Sequence, residues 1–437
     1  MNAATLALLV LLLIALVSVP RRHIAVVLIV AACLIPADQR TFLFTLDFTV
    51  LRILVVAAAV RLLLAGDVRP IKWTGLDKVF LAWAVSRAVI YALQWRTMAG
   101  AVNASGYFFD AVGLYWVFRQ VLRSWDDARP VFTALAVCVL LMLPFVYYEH
   151  RTGDNPFAVL GRVHTAVRWQ ALRAQGTFPH SILLGLFWAT SAPFFGAMIR
   201  ARQHSILCWA AVLATISIAW LTRSSTPIMT LALTAGAFFL FPYRHYGRQI
   251  AYLAVAGVTA LHIVMKAPVW HLISRISVVQ GSTGYHRYRL IDAGIRHFRE
   301  WAILGTRSTG HWGWGLQDVT NQYLVEGIRG GVVTLVLFLI VLIMAVRITG
   351  RYSLQTRMSQ SQWLAWGVCV AVIAHSISFF GVSYFGQIHI LLFLTLALAG
   401  MVQDLEASER RQVRVCVVRA SAAHRQGRVG AAVSSAT

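Results

Sequence analysis

Charge is what this sequence has little of. Asp, Glu, Lys and Arg make up 13% of its 437 residues, where soluble domains carry about 25%, and 59% are hydrophobic with a mean hydropathy of +0.68. That shortage excludes a soluble fold, because the chain has to be solvated by lipid. Lysine is nearly missing, at Lys72, Lys78 and Lys266 only, so the net charge of +23 is almost wholly arginine. The arginines lie mostly in short segments between apolar runs and not in one stripe beside aromatic platforms, which argues against a nucleic-acid surface. Cysteine is scarce too. Cys33, Cys138, Cys208 and Cys369 lie inside apolar runs and Cys416 in the tail. Their spacing excludes a disulfide framework and a zinc site, and they read as small hydrophobes. The strand alternation of an outer-membrane barrel is also absent.

What is present is a series of apolar runs close to the roughly 20 residues that cross a bilayer, where only helices satisfy the backbone. The expected fold is an all-α polytopic integral membrane protein of about thirteen transmembrane helices. The runs are 4–19, 23–35, 43–64, 79–94, 106–121, 130–148, 180–199, 205–221, 227–241, 250–264, 331–346, 363–380 and 386–402. The first has no basic segment before it and reads as an uncleaved helix. Residues 1–402 form one transmembrane domain, and the basic tail 403–437, rich in Ser, Ala and Arg, reads as disordered and able to touch anionic lipid.

Arginine falls in alternate loops, which puts those loops and the tail in the cytoplasm and the short N-terminus outside. Polar segments 149–179 and 266–330 then emerge on the outer face, the second long enough to carry short helices. Within it, 288–304 puts Ile291, Ile295, Phe298 and Ala302 on one helical face, as an interfacial helix would.

Arginine in outer loops runs against the positive-inside tendency. Arg151, Arg162, Arg168 and Arg173 lie in the first segment, and Arg275, Arg287, Arg289, Arg296, Arg299, Arg307 and Arg329 in the second. Guanidinium groups gathered at a membrane face suit a phosphate or diphosphate, because they are planar, bidentate and always charged. The plainer alternative is contact with bilayer phosphates.

Three stretches carry the argument further. Arg173-Ala-Gln-Gly-Thr-Phe-Pro-His180 precedes a span, with Gly176 free to turn the backbone; an ordinary loop-to-helix entry explains Gly176 and Pro179 equally well. The short hairpin Thr222-Arg223-Ser224-Ser225-Thr226 fixes Arg223 at the surface, as a ligand contact or a snorkelling anchor. Asp318-Val-Thr-Asn-Gln-Tyr-Leu leads into another span, where Asp318 and Asn321 either orient an acceptor or cap the helix. Asp47, Arg52 and Asp110 lie inside apolar runs, where ionisable groups face a partner or an aqueous cavity, and they would suit a transporter.

In the order of these parts, over roughly 106–401, the chain resembles the O-antigen ligase and O-antigen polymerase family of bacterial membrane glycosyltransferases. The shared parts are an Arg-x-x-Gly-Thr-Phe element, an Arg-Ser hairpin two spans later, and a large outer loop ending in Asn-x-Tyr-Leu before Glu-Gly. The resemblance implies a GT-C-like enzyme of the cytoplasmic membrane that polymerises or ligates undecaprenyl-diphosphate-linked oligosaccharides in surface polysaccharide biosynthesis. It implies no metal and no cofactor. The partners are that lipid-linked glycan, a glycan or lipid acceptor, membrane lipids and other assembly proteins. Arg173 and Arg223 match diphosphate-binding arginines, and Gly176, Thr177, Phe178 and His180 the loop motif around them; Arg289 of the second outer segment is a third candidate for the diphosphate. Family ligases often carry a histidine just before the loop asparagine, and here Asp318, Val319 and Thr320 precede Asn321. Three possibilities stay open. Asp318 replaces it, or His311 or His286 reaches the site, or the activity is lost and the chain is a noncatalytic assembly protein. A surface histidine is the plain reading of His311. A transporter or flippase of lipid-linked glycans is the competing class.

Overall fold

The computed structural model describes residues 1–43, 46–71, 73–162, 165–168, 171–275 and 284–434. The protein is 78% helical, which agrees with an all-α membrane-embedded chain. The helices are α1 (Ala3–Ser18), α2 (Ile24–Leu34), α3 (Val50–Leu64), α4 (Gly75–Trp95), α5 (Met98–Val121), α6 (Trp125–Thr152), α7 (Ser181–Arg200) and α8 (Ser205–Leu221). They continue as α9 (Ser225–Phe239), α10 (Gly247–Val264), α11 (Leu272–Arg275), α12 (Gly284–Arg296), α13 (Phe298–Trp301), α14 (Gln322–Gln355), α15 (Ser359–Ser378) and α16 (Ile388–Ser434).

Among the described residues six helical segments are long and apolar enough to cross a membrane, including α6, α7, α14 and α15. α1, α8 and α9 are apolar but shorter. α4 and α5 have the length but are more polar, and they carry Asp77, Arg87, Asp110 and Arg119. The expected count of thirteen spans is therefore supported only in part. α10 buries none of its residues although its surface is apolar, a state that only lipid or a partner tolerates. α7 and α15 form the centre of the bundle, where Gly367 meets Ala197 and the Pro193 carbonyl, a small-residue contact that brings two helix backbones together.

Two antiparallel hairpins interrupt the helical pattern: β1 (Arg40–Leu43) with β2 (Leu46–Thr49), and β3 (Ala166–Arg168) with β4 (Ala171–Arg173). α16 runs on through Ser434 without a break, in a stretch rich in Ala, Arg, Gln and Val that lacks proline.

The surface helix expected over 288–304 is two pieces, α12 and α13, parted at His297. The break frees 302–306 to insert at a kink in α14. There Gly331 has a φ of +67°, the Thr306 N–H donates to the Ile328 carbonyl at 2.8 Å, and the Val332 N–H donates to the Ala302 carbonyl at 2.8 Å. Backbone groups released by a kink inside a bundle need such partners. A Cβ on Gly305 would collide with the Ile328 carbonyl, and one on Gly331 with that of Ile303.

Contacts also sort the loops by side. The Asn2 side chain donates to the Val159 carbonyl at 2.9 Å and Thr5 to that of Leu160 at 3.0 Å, so the N-terminus and segment 149–179 share one end of the bundle. Arg287 joins the second polar segment to the same end, at Thr226 and Gly381.

Candidate functional site

Arg173 ends β4, paired with Ala166 across the hairpin. Its side chain is buried, and Nε donates to the Thr222 carbonyl at 3.3 Å. Two of the three sequence elements thus meet directly. Arg223, the next residue, has a φ of +48°, a left-handed conformation that L residues adopt at a cost. That turn leaves its guanidinium exposed, and it makes no hydrogen bond or ion pair among the described residues.

The loop from Arg173 to His180 is held from beneath by Glu149, which is fully buried. Its carboxylate accepts the Gln175 N–H at 3.1 Å, the Gly176 N–H at 2.8 Å, the Asn155 amide at 3.2 Å and the Thr165 hydroxyl at 3.0 Å. Arg162 clamps the other side, pairing with Asp38 at 2.9 Å and donating to the Gln175 side chain and the Pro179 carbonyl. Gly176 uses its freedom, with a φ of +56°. Thr177 donates to the Cys33 carbonyl at 2.7 Å, Phe178 packs on Phe187, and His180 caps α7 by accepting the Ile182 N–H at 3.1 Å. In their described contacts these four residues build the loop around Arg173.

The large segment contributes Arg287, not the expected Arg289, to this cluster. Arg287 Nη2 donates to the Thr226 hydroxyl at 2.9 Å and Nε to the Gly381 carbonyl at 2.9 Å. Arg289, two residues on along α12, turns toward Gly313. The helical phase held the signal, because Arg287 shares the spacing of the buried Leu290 and Gly294.

Asn321 caps α14, its Oδ1 accepting the Leu324 N–H at 3.1 Å, and its amide reaches the Phe380 carbonyl at 3.5 Å. Beside it the Thr320 hydroxyl is buried without a hydrogen-bond partner. Asp318 is exposed, with His286 Nε2 3.4 Å from its backbone carbonyl. His311 belongs to a separate cluster: its Nε2 lies 2.7 Å from Glu300, which also accepts from the Trp312 indole at 3.0 Å. These two bonds hold the Glu300 carboxyl below the usual carboxylate range. No described bond joins His311 to Asn321 or Arg173.

Sequence reading missed the ion pairs inside the bundle. Glu326 and Arg87 pair there, with the Trp83 indole donating to Glu326 at 3.0 Å and Gln322 at 2.6 Å. Gln322 in turn accepts the Tyr384 N–H at 2.7 Å, which ties the start of α14 to the loop after α15. Arg119 Nε donates to Asp77 at 3.0 Å and its Nη1 to Asp404 at 3.0 Å. Arg52 meets both oxygens of Asp110 at 2.7 Å, and Asp47 pairs with Arg40 at 3.0 Å, so each charge named in the apolar runs has an opposite. Among the described residues no three His, Cys, Asp or Glu side chains gather as a metal site requires.

Directly beside the Thr222 hairpin, an apolar groove of about 820 Å³ runs between α6, α8 and α9, walled by Tyr147, Trp220, Leu221 and Ile228. The groove ends at Leu221, one residue before the hairpin that carries Thr222 and Arg223. Neither a scan against protein-family models nor a search of curated proteins finds a match to this chain.

Proposed function

We propose that this chain is a glycosyltransferase acting on a diphosphate-linked lipid glycan at the outer face of the bacterial cytoplasmic membrane, in surface polysaccharide assembly. The observation that carries the reading is Arg173 bound to the Thr222 carbonyl, next to the exposed Arg223, at the edge of an apolar groove. In this reading part of a polyprenyl chain lies in the groove and the diphosphate meets the arginines. The N-terminus, both polar segments and the hairpin sharing one end supports the sidedness drawn from arginine counts, and the further apolar helices support more spans than six.

In the reaction, the bond from the anomeric carbon to the diphosphate breaks and its electron pair leaves with the diphosphate. The acceptor hydroxyl oxygen bonds to that carbon and releases its proton, which this reading gives to Asp318. Arg173 and Arg223 stabilise the charge that grows on the leaving group, an interaction stronger in the transition state than before it. The competing flippase reading drew on Asp47, Arg52 and Asp110, and each of these three is paired with an opposite charge.

The test supplies purified protein with an undecaprenyl-diphosphate-linked oligosaccharide and separates the products by mass. Lengthened glycan indicates a polymerase, and transfer to a lipid acceptor a ligase. Full turnover by both Arg173→Gln and Arg223→Gln overturns the assigned roles. Movement of the lipid across liposomes without a new bond supports the flippase.

A further inference from the structure

A second groove lies on another side of the bundle, between α2 and α6, with a volume of about 800 Å³. Its walls are apolar, including Val30, Ala134 and Cys138, but one end is cationic. Arg22 and His23 come from the turn before α2, Arg129 from the first turns of α6, and His204 from the turn between α7 and α8. Three separate chain segments therefore bring nitrogen donors to one spot. Arg129 Nη1 pairs with Asp126 at 2.7 Å, and its Nε is buried with no hydrogen-bond partner. Arg22 is exposed and makes no hydrogen bond or ion pair among the described residues. Asp126 is the one acid among the lining residues, so the end keeps a positive surplus.

We infer that this groove binds one anionic diacyl phospholipid, with its phosphate at Arg22, Arg129 and His204 and an acyl chain along α2 and α6. The dimensions agree. From Ile24 to Leu34, α2 rises about 15 Å, close to the hydrocarbon depth of one leaflet. A zwitterionic lipid fills the walls equally well but brings its own cation beside its phosphate, whereas an anionic headgroup supplies the net negative charge that the surplus cations lack. The bound lipid also bears on the first site, because the Cys33 and Ile35 carbonyls at the far end of α2 accept from Thr177 and Gln387. A chain wedged between α2 and α6 sets the height of the loop that carries Arg173. The inference does not depend on glycosyl transfer, and its test reads lipid alone.

The full-length protein, purified in detergent, is titrated with phosphatidylglycerol, phosphatidylcholine or inorganic phosphate, and followed by native mass spectrometry and thermal unfolding. The expected result is one retained phosphatidylglycerol and a higher midpoint, with neither from phosphatidylcholine or phosphate. Arg22→Gln weakens the lipid about fivefold, as loss of one membrane-surface cation should. Val137→Trp, which fills the groove from an exposed position, abolishes the adduct while the protein stays folded. Equal retention of both lipids, the same gain from free phosphate, or unchanged selectivity in Arg22→Gln overturns the inference.

Discussion

Two sets of arginines differ in what surrounds them. Arg87 and Arg119 lie deep in the bundle and each is bound to a carboxylate, from Glu326 and from Asp77 with Asp404. At the hairpin face, the described partners of Arg173 and Arg287 are carbonyl and hydroxyl oxygens, and Arg223 reaches open surface. The first set joins helices, and the second is the one we propose meets an anion. Burial alone does not tell them apart, because Arg173 is about as buried as Arg87, at 5% and 4% exposure.

The comparison breaks most visibly if the interior pairs are dispensable. Glu326→Ala leaves Arg87 charged and unpaired in the bundle, and the expected cost is about 3–5 kcal/mol. The double variant Arg87→Met with Glu326→Leu recovers most of it, as thermal or denaturant unfolding in detergent measures. A single variant as stable as the parent would sink the structural role.

At the other face the larger effect is on rate. Arg173→Gln and Arg223→Gln are each expected to lower transfer by about 10²–10³-fold, the range found when one transition-state donor is removed. Arg223→Gln leaves stability within about 0.5 kcal/mol, since the side chain is exposed. Arg287 and Arg289 sharpen the division further. Arg287→Ala gives up two charge-assisted bonds, for a loss of about 1.5–3 kcal/mol, while Arg289→Ala stays near neutral. Equal effects from the two would mean that the phase of α12 does not matter.

Arg223 offers a smaller contrast, between the backbone and the side chain of one residue. Its left-handed φ of +48° costs an arginine about 1 kcal/mol that glycine avoids. Arg223→Gly should unfold at a slightly higher temperature and still lose transfer activity. An anchor that merely snorkels would lose little activity in that variant.

The helical class and the apolar helices were legible because they rest on composition and run length, which need no partner. What stayed hidden needed one. Arg87 and Glu326 are 239 positions apart, and nothing local marks them as a pair. The β3–β4 hairpin is three residues a side, too short for an alternation pattern. The kink in α14 had a local trace in Gly330-Gly331, but the segment that repairs it, 302–306, is fixed by tertiary backbone hydrogen bonds that no local pattern marks. At the site, Arg173 and the Thr222 hairpin read as separate motifs and meet in the fold. Glu149, which holds the loop between them, looked like one acid at the end of a span.

The smallest expected effect lies in the loop cluster of Glu300, His311 and Trp312, which shares no described bond with the arginine site. The Trp312 indole and the His311 ring favour the charged carboxylate, so Glu300 loses its proton at lower pH in the folded chain than in the unfolded one. A carboxylate held down in this way adds stability above its unfolded pKa, and that stability is lost as pH falls through the folded value. The side chain is 39% exposed, so solvent screening keeps the contribution small. Acidification through and below the ordinary glutamate range should therefore shift the environment of Trp312 while the rest of the bundle stays folded. Comparing fluorescence with and without Glu300→Gln isolates this change from that of the other tryptophans. If Glu300→Gln also abolished transfer at neutral pH, His311 would belong with the catalytic groups, and the division between loop cluster and arginine site would have to be redrawn.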